Sequence, residues 1–550
     1  MFVAERLDYA CALPKRGFLS VHLSAFGNAE SRFFVKGGLT MLQIKNLTIT
    51  HKKDLREIIN GFAFTLNQGD KAVIIGEEGN GKSTLLKLIY DERLVSDYAE
   101  FSGVIIKNNL VLGYLAQELE TEESRKTVYE YLCSLPAFFD QTPKELADIA
   151  FLLGLKPAFF YSDQKINTLS GGETVKLQLA KILIVKPDVL LLDEPSNDID
   201  MDTLAWLEQF ILESKIPVLF VSHDETLIER TANAVIHIEQ IRRKTVSRWT
   251  VAKTSYAQYI EERTAKFSHQ EQVAKKEQSD YEKQQERFLK IQSKVEHQQN
   301  AISRGDPHGG RLLKKKMKAV KSLEHRFSKE YENRTKLPES EEAIMASFSE
   351  HAFVPGGKTV LDFSLNELTA EKAVLAKNIR LFVSGNEKIC ITGKNGAGKT
   401  TLLKIIAGEL LERTDIQAAY MPQNYDELLC GSLTPVAFLC KTGDKNEITK
   451  VRTFLGSVKF TADEMSHATS ELSGGQKAKL YFLKMILDEN NVLILDEPTR
   501  NFSPLSNPVI RDILKAFRGA IISVSHDRKF IREVCTKVYE LTKEGLMERP

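Results

Sequence analysis

G-E-E-G-N-G-K-S runs from Gly76 to Ser83, and G-K-N-G-A-G-K-T runs from Gly393 to Thr400. Each follows a short apolar run, Ala72–Ile75 or Ile389–Thr392, and precedes an apolar helical stretch, Leu85–Ile89 or Leu402–Ile406. A strand that feeds a glycine-rich turn and then a helix curls backbone N–H groups around phosphate oxygens. The helix N-terminus adds a positive dipole end. The candidate phosphate cradles are Gly76, Glu77, Glu78, Gly79, Asn80, Gly81, Lys82, Ser83 and Thr84, and Gly393, Lys394, Asn395, Gly396, Ala397, Gly398, Lys399, Thr400 and Thr401. Lys82 and Lys399 are placed to reach β- and γ-phosphates, and Ser83 and Thr400 to ligate Mg²⁺.

Further motifs repeat in the same order. L-S-G-G-E starts at Leu169 and L-S-G-G-Q at Leu472; D-E-P ends at Pro195 and Pro498; V-S-H-D ends at Asp224 and Asp527. These three pairs share an offset of 303 residues, whereas the glycine-rich loops are 317 apart. The first copy therefore carries 14 extra residues between its loop and its L-S-G-G. Two copies of one domain are present. Val189–Leu192 and Val492–Leu495 are apolar throughout, as strands of a parallel sheet covered on both faces require. Val218–Val221 and Ile521–Val524 read as further strands, and the class is α/β.

The carboxylates after these strands carry the chemistry. Asp193 and Asp496 can orient Mg²⁺, and Glu194 and Glu497 can polarise an attacking water as general bases. His223 and His526 each follow a strand and a serine, suited to sensing a γ-phosphate. Gln117 in Y-L-A-Q and Gln423 in Y-M-P-Q stand between the motifs, suited to Mg²⁺ or the attacking water. The adenine-stacking residue is not assigned by any motif; His51 is the one candidate.

Between the copies the composition changes. Ile260, Phe267, Ala274, Tyr281, Phe288, Val295 and Ile302 recur every seven residues. Leu313, Met317, Val320, Phe327 and Tyr331 form a second series, broken near Glu324. R-G-D-P-H-G-G from Arg304 to Gly310 separates them as a turn signal. The expectation is an antiparallel helical hairpin with that segment at its tip. Residues 256–300 are charge-balanced, whereas 311–329 carry eight Lys and Arg against Glu324, a net of +7. A solvated coiled-coil face is the bland reading. Arg304, Arg311, Lys314, Lys315, Lys316, Lys318 and Lys321 are instead candidates for contact with a polyanion. The division expected is an extension over 1–40, a first domain over 41–250, the hairpin over 251–340 and a second domain over 341–550. The extension is either disordered or lies upstream of a native start at Met41.

The chain has 550 residues and a formal charge of only +1, so the rest of it sums to −6. That excludes a uniformly basic nucleic-acid coat. Six cysteines without a C-x-x-C pair argue against zinc ribbons and iron–sulfur clusters and fit a reducing cytosol.

The order phosphate loop, Gln, L-S-G-G, D-E-P and S-H-D resembles the ABC ATPases, and the resemblance covers both halves. It implies that the copies pack head to tail, with ATP and Mg²⁺ between them. Ser170, Gly171 and Gly172 would then complete the site on Lys399, and Ser473, Gly474 and Gly475 the site on Lys82. Two tandem ABC domains joined by a charged hairpin resemble the ABC-F translation ATPases. That resemblance implies a cytoplasmic, monomeric protein without membrane or DNA partners. It implies that the hairpin enters the ribosomal E site and contacts 23S rRNA and tRNA near the peptidyl-transferase centre.

One departure stands out. E-P-S-N-D-I-D ends at Asp200, but the second copy reads E-P-T-R-N-F-S-P-L-S up to Ser506, without an Asp. This variant resembles members that confer lincosamide, streptogramin A and pleuromutilin resistance, and it puts equal turnover at the two sites in doubt. Three other readings compete: an ABC-F factor without a drug role, an exporter's ATP-binding subunit and a DNA-repair ATPase. The charged hairpin disfavours the exporter, and the cysteine-free linker disfavours the repair enzyme.

Overall fold

The computed structural model describes residues 42–301, 307–332 and 347–549, apart from 243, 371–372, 428 and 430, together with 335, 337 and 338. The expected extension over 1–40 and the tip residue Arg304 lie outside the described residues.

Each copy is built on a six-stranded sheet with the same strand order. In the first, the order is Leu112–Leu115, Val189–Asp193, Val218–Val221, Lys71–Ile75, Ala234–Ile241 and Val246–Ala252. In the second it is Ala418–Met421, Val492–Asp496, Ala520–Val524, Lys388–Thr392, Lys537–Thr542 and Gly545–Arg549. The last strand of each sheet is antiparallel and the others are parallel. Val189–Asp193 and Val492–Asp496 are buried at every position, because helices or a second sheet cover both faces. Alternation divides the side chains. Val73, Ile75, Leu190 and Leu192 join a core shared with the helix Gly171–Ile184, and Ala72, Ile74, Val189 and Leu191 join one shared with the helix Lys82–Tyr90.

A smaller antiparallel sheet backs each phosphate-loop helix. Thr359–Ala370 pairs with Ala373–Ser384 in the second copy. In the first copy, Leu42–His51 pairs with both Glu57–Leu66 and Ala99–Ile106. The third strand explains the length difference. The extra residues of the first copy fall mostly between phosphate loop and Gln117, where Ala99–Ile106 sits.

The helices Tyr256–Ala301 and Pro307–Glu332 form the antiparallel hairpin. Their 46 and 26 residues correspond to about 69 Å and 39 Å at 1.5 Å per residue. The seven-residue series makes the seam: Ala274, Val295 and Val320 are buried, Tyr281 stacks at 4.3 Å from Tyr331, and Phe288 meets Phe327 at 6.3 Å. The tip is shorter than expected. His308, Gly309 and Gly310 belong to the second helix, which starts at Pro307. Proline suits a first helical turn, where its missing N–H would find no helical partner and its φ is already helical. The segment read as a turn signal thus includes the start of the second helix.

The Tyr281–Tyr331 contact gives a test. Such a pair contributes about 0.5–1.5 kcal/mol beyond its buried area. Tyr281→Ala should therefore speed tryptic cleavage within the two arms by about 2- to 10-fold, mapped by mass spectrometry.

Candidate nucleotide sites at the seam between the two copies

Both phosphate loops depend on glycine in the left-handed region. Gly81 (φ 81°) and Gly398 (φ 93°) immediately precede the helices Lys82–Tyr90 and Lys399–Leu411. A Cβ at Gly81 would lie 2.1 Å from Ile58, and one at Gly398 would lie 2.7 Å from Leu375. The loop lysines fold back on their own loops. Lys82 Nζ donates to the carbonyls of Gly76 (2.9 Å) and Glu77 (3.0 Å), and Lys399 Nζ to those of Gly393 (2.8 Å) and Lys394 (3.0 Å).

L-S-G-G-[E/Q] proves to be a capping box. Ser170 Oγ accepts from the Glu173 N–H while Glu173 accepts from the Ser170 N–H; Ser473 and Gln476 repeat the exchange. The motif's fifth position is thereby explained: only a side chain able to reach back to the cap completes it.

The chain brings the motifs of one copy against those of the other. A cleft of about 850 Å³ is lined by Lys399, Thr400, Gln423, Asp496, Glu497 and His526 of the second copy, and by Ser170, Gly171 and Asp198 of the first. A second cleft, of about 360 Å³, is lined by Lys82, Ser83, Thr84, Gln117, Glu194 and His223 of the first copy, with Arg500 and Asn501 of the second. His51, Ile58 and Tyr98 form part of its wall. The L-S-G-G of the second copy meets this phosphate loop through Glu78, whose carboxylate accepts from the N–H groups of Gly474 (3.2 Å) and Gly475. Asn80 turns away, donating to the Ile238 carbonyl at 3.0 Å, and Lys394 is exposed.

The two sites share a frame but differ in their charges. Glu194 (φ 49°) and Glu497 (φ 51°) are both held in the left-handed region, a sparsely populated conformation that clusters at functional sites. Glu194 Oε1 lies 3.0 Å from His223 Nε2, whereas Glu497 Oε1 lies 3.9 Å from His526 Nε2. Burial disfavours charge on Glu194, but His223 and Lys82 offset it and hold the carboxyl below its usual range. Burial, then the neighbouring Asp496, pushes Glu497 up to about 8. His223 Nδ1 is 2.7 Å from the Phe502 carbonyl of the other copy; His526 Nδ1 is buried without a hydrogen-bond partner.

The aspartates differ as well. Asp193 accepts from Ser83 Oγ at 2.9 Å and from the Tyr114 hydroxyl at 3.2 Å, whereas both oxygens of Asp496 are buried without a hydrogen bond. Burial raises both carboxyls. An unpartnered carboxylate beside Thr400 and Gln423 is a donor set that fits Mg²⁺. No group of three His, Cys, Asp or Glu converges among the described residues.

Glu77 has a role that the motif did not disclose. Its buried carboxylate accepts from Lys479 Nζ (2.6 Å), Ser503 Oγ (2.6 Å) and Ser506 Oγ, all of the second copy. At the offset of 303, Ser503 stands where the first copy has Asp200. The carboxylate missing from the second copy's loop thus sits across the interface, on the opposing phosphate loop.

The ABC transporter family model matches residues 59–197 and 376–500. ABC transporter F family member 5 of Arabidopsis thaliana is 25% identical over 89% of this chain and 73% of its own length. Ribosome protection protein VmlR of Bacillus subtilis is 28% identical over 88% of this chain and 83% of its own. A solved complex of an archaeal ribosomal stalk protein with the archaeal ribosome recycling factor aABCE1 shares the fold, with a TM-score of 0.54 at 17% identity, over 92% of this chain and 90% of that one.

The Glu77 cluster gives a prediction with a sign. Burial disfavours its charge, but Lys479 and the two serines hold its pKa at about 2, against an ordinary 4.5. A lowered folded-state pKa adds stability that is fully present above the ordinary value and is lost as pH falls through the folded one. At about 1.4 kcal/mol per unit, the contribution at neutral pH is on the order of 3 kcal/mol. Glu77→Gln should lower the thermal midpoint at pH 7, and its gap to the parent should narrow as pH falls below 4.5. A gap independent of pH would show that the charge is not what holds the contact. The chain is an ABC-type ATP hydrolase with two ABC domains in tandem, and its relatives include ABC-F family proteins.

Proposed function

We propose that this chain is a cytoplasmic, ribosome-bound ABC-F ATPase that protects translation from antibiotics acting at the peptidyl-transferase centre. The observation that carries the reading is the hairpin: a probe of about 69 Å, set between two ABC domains. Its second arm presents Arg311, Lys314, Lys315, Lys316, Lys318 and Lys321 to solvent. A lysine-rich helix in a chain of net charge +1 suits the phosphate-lined surfaces of rRNA and tRNA, which are recognised by shape and backbone. The name of the Bacillus relative, a ribosome protection protein, supports the same reading. Among the described residues no helix is long and apolar enough to cross a membrane.

The working division is an ABC domain over 41–250, the hairpin over 251–340 and an ABC domain over 341–550. ATP with Mg²⁺ fills both clefts. Ser83, Asp193 and Gln117 hold the metal in one, and Thr400, Asp496 and Gln423 in the other. Glu194 and Glu497 act as general bases on the attacking water, and His223 and His526 face the terminal phosphate. Binding closes the halves into the form that enters the E site, and hydrolysis releases it.

The double variant Glu194→Gln, Glu497→Gln should accumulate on 70S ribosomes in the presence of ATP. Absence of co-sedimentation would falsify ribosome binding. Expression in a sensitive host should raise resistance to lincosamides, streptogramin A or pleuromutilins; co-sedimentation without any such change selects an ABC-F translation factor with no drug role.

The basic arm has its own test. Each phosphate contact adds roughly 0.7–0.9 to the slope of log affinity against log salt. Replacing Lys314, Lys315 and Lys316 by Ala should lower that slope by about 2 for ribosome binding and leave ATP affinity unchanged.

A further inference from the structure

The seam between the halves also carries a buried ionic network, on the helices Met201–Glu213, Glu225–Thr231, Asn507–Ala516 and Arg528–Val534. Arg511 donates to both oxygens of Glu225 across the seam, at 2.6 and 3.2 Å, and to Glu533 of its own half at 2.8 Å. Glu208 mirrors it, pairing with Arg528 across the seam and with Arg230 of its own half at 2.8 Å. Glu208, Glu225 and Arg511 are only 4%, 6% and 4% exposed.

The mirror follows the internal repeat, and it reverses every sign. At the offset of 303, Glu208 corresponds to Arg511, Glu225 to Arg528, Glu229 to Arg532 and Arg230 to Glu533. The register is secure, because the first helix of each pair ends alike: Ser214 N–H donates to the Phe210 carbonyl, and Phe517 N–H to that of Ile513. Two copies of one domain, related by a pseudo-two-fold, would have identical faces. Here one face bears carboxylates where the other bears guanidinium groups.

We propose that this inverted set of charges selects which halves pair. The first half's face accepts a second-half face and rejects another first half, which only a second chain could bring. Against its own kind, Glu208 would meet Glu225, two buried carboxylates with only Arg230 of the same half beside them. Second half against second half, Arg511 would meet Arg528. Bringing like charges together in a buried seam is strongly unfavourable, and removing one partner of a buried pair leaves the other uncompensated. The device guarantees that each cleft receives one phosphate loop and one L-S-G-G from unlike halves. That matters because the two clefts differ: Glu77 accepts from Ser503 of the second half, where the first half has Asp200. The inference rests on the ABC pair alone and stands whether or not the ribosome is the partner.

The test uses the full chain and its ATPase rate. Lys529 also donates to Glu225 and Glu229 across the seam, where the first half has Thr226. Giving the first half the second half's residues (E208R, E225R, T226K, E229R, R230E) makes the faces alike and should lower ATPase at least tenfold. Adding the reciprocal set (R511E, R528E, K529T, R532E, E533R) should restore it to within about threefold. Folding of each variant is checked by circular dichroism. A like-faced chain that keeps its ATPase overturns the proposal, as does a folded exchange variant that stays inactive. A milder pair decides the matter if the exchanged chain does not fold. Glu225→Gln with Arg511→Gln removes the charges without creating repulsion and should retain most activity, whereas Arg511→Glu alone should lose at least tenfold. Equal losses in these two would mean that the pair only stabilises the seam, and would overturn the selection.

Discussion

Neither ABC domain can enclose a triphosphate alone. Its phosphate loop lines only one side of a cleft. The other side must come from a capped helix start on a different domain, because the L-S-G-G of the same copy lies elsewhere on its own sheet. The cleft on Lys399 shows the consequence: Ser170 and Gly171 of the first copy face Thr400 and Asp496 of the second. From this need for a partner follow the tandem repeat, the shared offset, and a seam whose charges tell one half from the other.

Joining the halves in one chain frees them to diverge, and the two clefts have done so in a coordinated way. The first phosphate loop has Glu77 where the second has Lys394, and the second copy has Ser503 where the first has Asp200. Each change alone would leave a polar group unanswered. Together they place one carboxylate among two hydroxyls and an ammonium. The general-base candidates follow the same divide. Glu194 is held below its usual range beside His223, while burial and Asp496 push Glu497, 3.9 Å from His526, up to about 8.

Much of this was legible in the sequence. The glycine-rich loops, the strand-end carboxylates and the seven-residue seam each carry their own spacing, and the repeat says that the two sheets are alike without giving their strand order. Other features were hidden for physical reasons. His308–Gly310 carries turn composition, yet Pro307 starts a helix there, because proline and glycine report what a backbone tolerates rather than where an element begins. The strand Ala99–Ile106 was visible only as extra length. The serines of the second copy read as a loss until the structure set them against Glu77. The inverted charges at 208, 225, 229 and 230 stand in the alignment of the copies, but only their burial across one seam gives the inversion meaning.

The hairpin is rooted where these features meet. Tyr256, at the base of the first arm, is buried and its hydroxyl donates to the Pro504 carbonyl of the second half at 3.3 Å. Three residues on, the Tyr259 hydroxyl lies 2.8 Å from His237 Nδ1 of the first half, and Arg263 pairs with Glu239 at 2.6 Å. Pro504 immediately follows Ser503, which binds Glu77 in the opposing phosphate loop. The base of the arm is therefore bonded to both halves, and one of those bonds lies a single residue from the contact with the opposing phosphate loop. A helix of 46 residues turns a small rotation at its base into a large displacement at its end: about 10° over 69 Å moves the tip by about 12 Å. A change of contact between Glu77 and the Ser503–Ser506 loop thus has a short covalent and hydrogen-bonded route to the end of the hairpin, without any rearrangement inside either sheet.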